Sequence, residues 1–300
     1  MQTKVCATKT IKMQKPLILI LLLNSLIFNS LGQDKKPFSR KGEYYFFWGY
    51  NRSGYAKSDI SFKGIGYDFT LKNVVANDLP IPFSTEEYFD ITRLSIPQYN
   101  FRVGYFFNDH WAISIGSDHM KYVMVDEQLS SITGHISAKD SNPSIDVNAI
   151  NPAYVGDFND KPFVIAKDFL TYEHTDGFNY FHVEIDRYDR LWKAKNNVQG
   201  IDWLVGLGAG TLIPRSDVKL FGVGQNNHFN FAGYGLSAKT GLRFDLSRRF
   251  FFQTDVMGGF VRLSNVHTTG RNDIDYAQQS IWFGQFYGAL GYKFGRKRSK

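Results

Sequence analysis

The stretch Tyr234-Gly235-Leu236-Ser237-Ala238-Lys239-Thr240-Gly241-Leu242-Arg243-Phe244-Asp245-Leu246 alternates without a break. Tyr234, Leu236, Ala238, Thr240, Leu242, Phe244 and Leu246 make a mostly apolar face. Gly235, Ser237, Lys239, Gly241, Arg243 and Asp245 make a face that is small or charged. A period of two is that of a β-strand, whose successive side chains point to opposite sides. The first face suits an apolar surrounding. The second suits a narrow polar interior, where glycine makes room and opposite charges pair. A soluble sandwich would not need glycine-lined faces.

The same pattern returns in Ile201, Trp203, Val205, Leu207 and Ala209 against Asp202, Leu204, Gly206, Gly208 and Gly210. It returns again in Phe101, Val103, Tyr105 and Phe107 against Asn100, Arg102, Gly104 and Phe106. After residue 33 no run approaches the roughly eighteen apolar residues of a spanning helix, so any membrane crossing must use strands. In hydrocarbon every backbone amide needs a partner, which leaves a closed barrel. The expected fold is therefore all-β: a closed antiparallel transmembrane β-barrel with long extracellular loops.

Two short turns, Asn108-Asp109-His110 and Ser247-Arg248-Arg249, join such segments and set their direction, since short turns lie on the periplasmic side of outer-membrane barrels. Eight strands are expected, at Glu43–Asn51, Ser95–Phe107, Trp111–Val125, Gly177–Trp192, Ile201–Ile213, Gly233–Leu246, Phe250–Leu263 and Ile281–Phe294. Between them lie four outer loops, Arg52–Leu94, Asp126–Asp176, Pro214–Ala232 and Ser264–Ser280, the first carrying a β-hairpin at Asp59–Leu71. Ser137–Asp160, with Asn-Pro twice, reads as the mobile part of the second. Aromatic residues at strand ends, from Tyr44 to Trp48 and from Phe250 to Phe252, suit interfacial girdles.

Lys12 and Lys15 precede an apolar run from Leu17 to Leu23 that resumes at Leu26–Phe28 and ends in Ser30-Leu31-Gly32. This is the order of a secretory signal peptide, broken by Asn24 and Asn29 and too short to span. Residues 1–32 are expected to be the signal, with cleavage after Gly32, and residues 33–300 the barrel domain. Met13 also offers a start for a signal of ordinary length. The one cysteine, Cys6, leaves with it. Removing Lys4, Lys9, Lys12 and Lys15 takes the formal charge from +7 to about +3, most of it in the tail Arg296, Lys297, Arg298 and Lys300. Basic residues confined to two ends do not make a nucleic-acid face.

The run Tyr287-Gly288-Ala289-Leu290-Gly291-Tyr292-Lys293-Phe294 resembles the terminal strand of outer-membrane barrels, whose closing aromatic is read by the barrel-assembly machinery. Phe294 takes that place, with Gly295–Lys300 as an added tail. The whole mature chain resembles outer-membrane β-barrel proteins of Bacteroidota and is similar in architecture to OmpA-type and OmpW-type eight-stranded barrels. Gly116–Met124 and Glu173–Tyr180 look like stretches of that group. The resemblance implies an outer-membrane location, contact with outer-membrane lipid and lipopolysaccharide, and a monomer; no nucleic acid, cofactor or metal is expected.

On the inward faces stand Arg102, Asp118, His182, Glu184, Asp186, Asp202, Lys239, Arg243, Asp255 and Lys293, both signs mixed. An eight-stranded barrel is just wide enough to be filled by side chains, so these are expected to plug it with ion pairs. At the outer rim His119, Glu173, His174 and Asp176 come from neighbouring strands and are the candidate binding residues. Ser117 and His119 offer the parts of a lipid hydrolase, but in an order unlike that of barrel deacylases, and no catalytic residues are assigned. Glu173, His174 and Asp176 are metal-ligand types without diagnostic spacing, and His228 and His267 are single loop histidines. The expected function is a non-enzymatic barrel that anchors external loops for contact with a ligand, a partner or the envelope. Uptake of a small apolar or amphipathic solute and lipid A modification are the alternatives.

Overall fold

A computed structural model describes residues 39–295 except 91, 94–95, 138–150, 196–197, 225–227 and 272. The expected signal peptide, most of the expected mobile segment and the basic tail lie outside the described residues. Among the described residues fourteen strands form: β1 Tyr44–Tyr55, β2 Ser58–Gly64, β3 Tyr67–Val74, β4 Ala76–Asn77, β5 Tyr99–Phe106, β6 Trp111–Met124, β7 Gln128–Ile136, β8 Gly156–Ile165, β9 Leu170–Lys193, β10 Gly200–Leu212, β11 Asp217–Leu220, β12 Gly233–Asp245, β13 Phe250–His267 and β14 Tyr276–Phe294. Among the described residues a short α-helix, α1 Thr85–Phe89, is capped by Ser84, whose hydroxyl accepts from the Glu87 amide.

Eight strands form an antiparallel ring in the order β1, β5, β6, β9, β10, β12, β13, β14, and β14 pairs back onto β1 from Tyr44↔Phe294 to Tyr55↔Phe283. Phe294 stacks on Tyr44 at this seam, with ring centroids 5.6 Å apart. At the end with the short turns, Asp109 ties down the N-terminal approach by accepting from Ser39 Oγ at 2.6 Å and the Arg40 amide at 2.9 Å.

At the other end the strands outrun their expected limits. β1 continues to Tyr55, β13 to His267, β14 begins at Tyr276, and β9 begins at Leu170 rather than Gly177. The second long connection contributes β7 and β8 as strands. From the top of β14 the sheet continues through β2, β3, β7 and β8, while β11 pairs the top of β9 and β4 the top of β6. The hairpin expected at Asp59–Leu71 is β2 and β3. It lengthens the sheet instead of standing alone, because its free edges find β14 and β7; an unpaired edge would leave a row of amides without partners.

Sidedness inverts along the ring. Over most of its height the outward residues are apolar, such as Ile113, Val183, Leu207, Leu236, Val256, Phe286 and Leu290, and the inward ones polar. The change falls at Phe260 and Trp282, whose rings lie 5.1 Å apart. Beyond them the outward residues of β13 and β14 are Arg262, Ser264, Ser280 and Gln278, while Val261, Leu263, Ala277 and Ile281 are buried inside. The extension follows the second rule, with Phe62, Phe69, Ile132, Phe169 and Tyr172 inside and Asp59, Lys63, Asp68 and Lys161 outside.

Candidate functional site

Inside the ring every charged residue named from the alternation is buried. Three tiers can be followed. Nearest the short turns, Asp202 takes Arg40 and Arg190, and Asp245 takes Arg190 at 2.7 Å and Lys293 at 2.7 Å. Arg243 bridges to Glu43 at 3.2 Å and lies over the Phe251 ring at 3.7 Å. In the middle, Lys239 stands between Glu184 at 2.6 Å and Asp186 at 3.2 Å, and Asp255 accepts from the Tyr287 hydroxyl and from Gln253. Higher up, Arg102 joins Asp118 at 2.6 Å to Glu184 at 2.9 Å, with His182 Nε2 3.3 Å from Asp118. Glycine makes this crowding possible. A Cβ at Gly206 would lie 1.9 Å from Asp186 Oδ1, and one at Gly116 2.2 Å from Arg102 Cδ.

Above this network, inward Asn100 and Asn51 give way to an aromatic lid. Tyr55 lies 5.0 Å from Tyr122 and 6.0 Å from Phe178. The interior is thus a polar plug beneath an apolar one. Glu43, Asn100, Arg190, Gln253, Gln285 and Tyr287 also belong to the plug, although the charged set read from the sequence did not include them. Their inward parity was available, but several are uncharged or lie at strand ends.

The rim residues divide between two sides of the wall. His174 points inward, fully buried against Tyr122, Tyr172 and Phe178, with Nδ1 2.9 Å from Ser216 Oγ. Burial without a countercharge pushes its pKa down to about 3. Glu173 is half-buried, stands opposite Asp217 of β11, and its carboxyl is pushed up by burial. His119 and Asp176, in contrast, share an outer-wall cavity of about 400 Å³ with Tyr99, Lys121, Asn179 and Arg215. A bulge makes that cavity. Between Met120↔Phe178 and Tyr122↔His174, Thr175, Asp176 and Gly177 of β9 face only Lys121 of β6. Gly177 takes φ +138 there, a backbone conformation that side chains rarely adopt.

His119 is held by Asn179 Oδ1 at 2.8 Å and by stacking on Tyr99 at 5.2 Å, its plane 2° from parallel. Ser117 Oγ has no hydrogen-bond partner, so Ser117 and His119 do not form the nucleophile–base pair that acyl transfer requires. No group of three or more His, Cys, Asp or Glu that could hold a metal ion occurs among the described residues. Sequence reasoning missed Lys121, Asn179 and Arg215. Lys121 shares the outward parity of Ser117 and His119, while Arg215 comes from a distant connection that no spacing indicates.

Fold and site together define a class: an all-β, antiparallel, eight-strand ring with an ion-paired interior and an apolar outer wall. No family model matches the chain, and no curated protein matches it in sequence. Solved structures do. The outer membrane protein OprG from Pseudomonas aeruginosa is 10% identical over 86% of this chain and 98% of that chain, with a TM-score of 0.39. The outer membrane protein AlkL is 12% identical over 91% of this chain and 100% of that chain, with a TM-score of 0.36. The attachment invasion locus protein Ail of Yersinia pestis is 15% identical over 85% and 99%, with a TM-score of 0.32. Likeness at this level assigns neither a family nor a task.

Proposed function

We propose that this chain is a non-enzymatic outer-membrane β-barrel protein, exported by removal of residues 1–32, whose sealed barrel carries a folded external platform for contact with a ligand, a partner or the envelope. The inversion of sidedness at Phe260 and Trp282 carries the reading. Apolar outward residues below that level call for hydrocarbon, and polar outward residues above it call for water. The platform is a continuation of the barrel sheet, so it is presented rigidly, unlike a set of free loops. The plug of paired charges favours anchoring over conduction. In this reading Phe294 is the aromatic that the barrel-assembly machinery reads, the chain works as a monomer, and membrane lipid and lipopolysaccharide are its surroundings.

Two measurements test it together. Protein from membranes should migrate faster on a gel unheated than boiled, and planar bilayers containing it should show no large stable conductance. Recovery from the soluble fraction without heat-dependent migration would overturn the membrane barrel. A steady open channel would overturn the sealed interior.

A further inference from the structure

The polar cavity of His119, Lys121 and Arg215 does not stand alone. It meets, at Phe181, a second hollow of about 470 Å³ on the same outer wall, lined among others by Phe101, Ile115, Ser117 and Val183. The lower hollow is almost wholly apolar. It exists because small outward residues, Ser117, Ala209 and Thr211, lie between the larger Phe101, Ile115, Phe181 and Val183. A channel for a hydrocarbon chain thus runs up the membrane-facing wall and ends beneath cationic groups at the level where the wall turns polar.

One hydroxyl there lacks a partner, and one ammonium lacks a close one. Lys121 is 8% exposed with its ammonium half-buried, and that ammonium makes no hydrogen bond or salt bridge with another described residue, the carboxylates of Asp176 and Asp78 acting on it only from a longer distance. Asp176, which also lines the cavity, is engaged 3.6 Å from Arg215. Ser117 is 8% exposed and its Oγ is unsatisfied. A buried hydroxyl without an acceptor is costly, and an ammonium held in a cavity with no close carboxylate is open to an anion. A ligand with an anion above, a carbonyl below it and an apolar tail would satisfy both.

We propose that this crevice binds one phosphate-bearing membrane lipid. Lys121 pairs with its phosphate, the Ser117 hydroxyl donates to an acyl-ester carbonyl, and an acyl chain lies along Phe101, Ile115 and Phe181. His119, held flat against Tyr99, forms the side wall of the headgroup cavity. The assignment rests on the membrane reading given above.

The test is native mass spectrometry of the full mature chain extracted in mild detergent. The probes are phosphorylated lipid A, the same lipid dephosphorylated, and inorganic phosphate. One phosphorylated lipid should be retained per chain, and the dephosphorylated form should bind about tenfold more weakly, the loss expected for one charge-assisted contact. Lys121→Gln should give a similar loss and Lys121→Arg should restore binding. Ile115→Trp should block the groove, while Val256→Trp on the opposite wall should change nothing. Retention equal in Lys121→Gln and wild type overturns the proposal, as does equal loss in Val256→Trp. Competition by inorganic phosphate would also overturn it, assigning the cavity to a free anion. A heat-modifiable barrel that retains no phosphorylated lipid defeats this proposal alone; a chain that needs no detergent defeats the membrane reading first.

Discussion

The lower ring and the upper extension share the strands β9, β13 and β14 and are filled by opposite means. β13 carries Gln253 and Asp255 inside below Phe260, and Val261 and Leu263 inside above it. Both stretches belong to one continuous strand; on the reading proposed above it is their surroundings that differ. Where the outside is apolar, the apolar residues go out and the inside must be made of polar groups that satisfy one another. Where the outside is polar, the usual burial of aromatic and aliphatic side chains returns. The two halves should therefore fail in different ways.

The largest effect is expected where one cation serves two carboxylates. Arg102→Ala leaves Asp118 and Glu184 buried without their guanidinium and should cost about 3–5 kcal/mol of barrel stability, the range for breaking a buried pair from one side. Urea unfolding in lipid vesicles measures it. Removing the charges together, as Arg102→Met with Asp118→Asn and Glu184→Gln, should recover most of that loss. If the single variant is as stable as wild type, the plug is not held by pairing.

The extension should answer to volume. Phe169 packs against Phe163 at 4.7 Å, Tyr154 at 4.9 Å and Phe221 at 5.5 Å, so Phe169→Ala should cost about 3–4 kcal/mol, as large core truncations do. The loss should stay local. Protease added to vesicles should cut the extension while the remaining barrel keeps its heat-dependent migration. Loss of that migration would show the two halves to be one cooperative unit.

A smaller effect separates room from charge. In Gly116→Ala the new methyl would collide with Arg102, which cannot swing away because Asp118, Glu184 and the Phe101 carbonyl hold it. About 1–3 kcal/mol of overpacking is expected, read by the same unfolding assay. Gly288→Ala is the control. A Cβ there meets nothing closer than 3.3 Å and should cost less.

What was legible follows from the same division. The lower half repeats a strict period of two with one apolar face, so eight antiparallel ring strands could be read from sequence, and the charged residues on their inner face are buried. The upper half could not be read in this way. β7, Gln128–Ile136, mixes Ser130, Ser131 and Thr133 with Ile132, and β8 contains Asn159, Asp160 and Pro162, so both resemble loops until their partners are known. At the rim, parity carried back from Glu184 and His182 places His174 inward, because the bulge at Thr175–Gly177 preserves it. Ending the strand at Gly177 concealed this. The cavity of His119, Lys121, Asp176 and Arg215 depends on that bulge, which no local pattern announces.

The most graded way to separate the halves is pH, since His174 belongs to the upper core. Its pKa of about 3 in the folded chain lies below the usual imidazole value near 6.5, so between these limits the unfolded chain binds a proton that the folded chain refuses. The stabilisation is complete above about pH 6.5 and is lost as pH falls, by about 1.4 kcal/mol per unit once below that value. His174→Gln keeps a neutral hydrogen-bonding group for Ser216 and removes the titration. Thermal unfolding of the extension at pH 5.5 and pH 4.5, by protease susceptibility, should show the wild-type chain weakening relative to this variant, with the gap closing at pH 7.5. Equal pH dependence in the two chains would mean that His174 accepts its proton within the folded core. The packing of Tyr122, Tyr172 and Phe178 around it would then have to open to water without unfolding, and the upper half would share the polar character that distinguishes the lower.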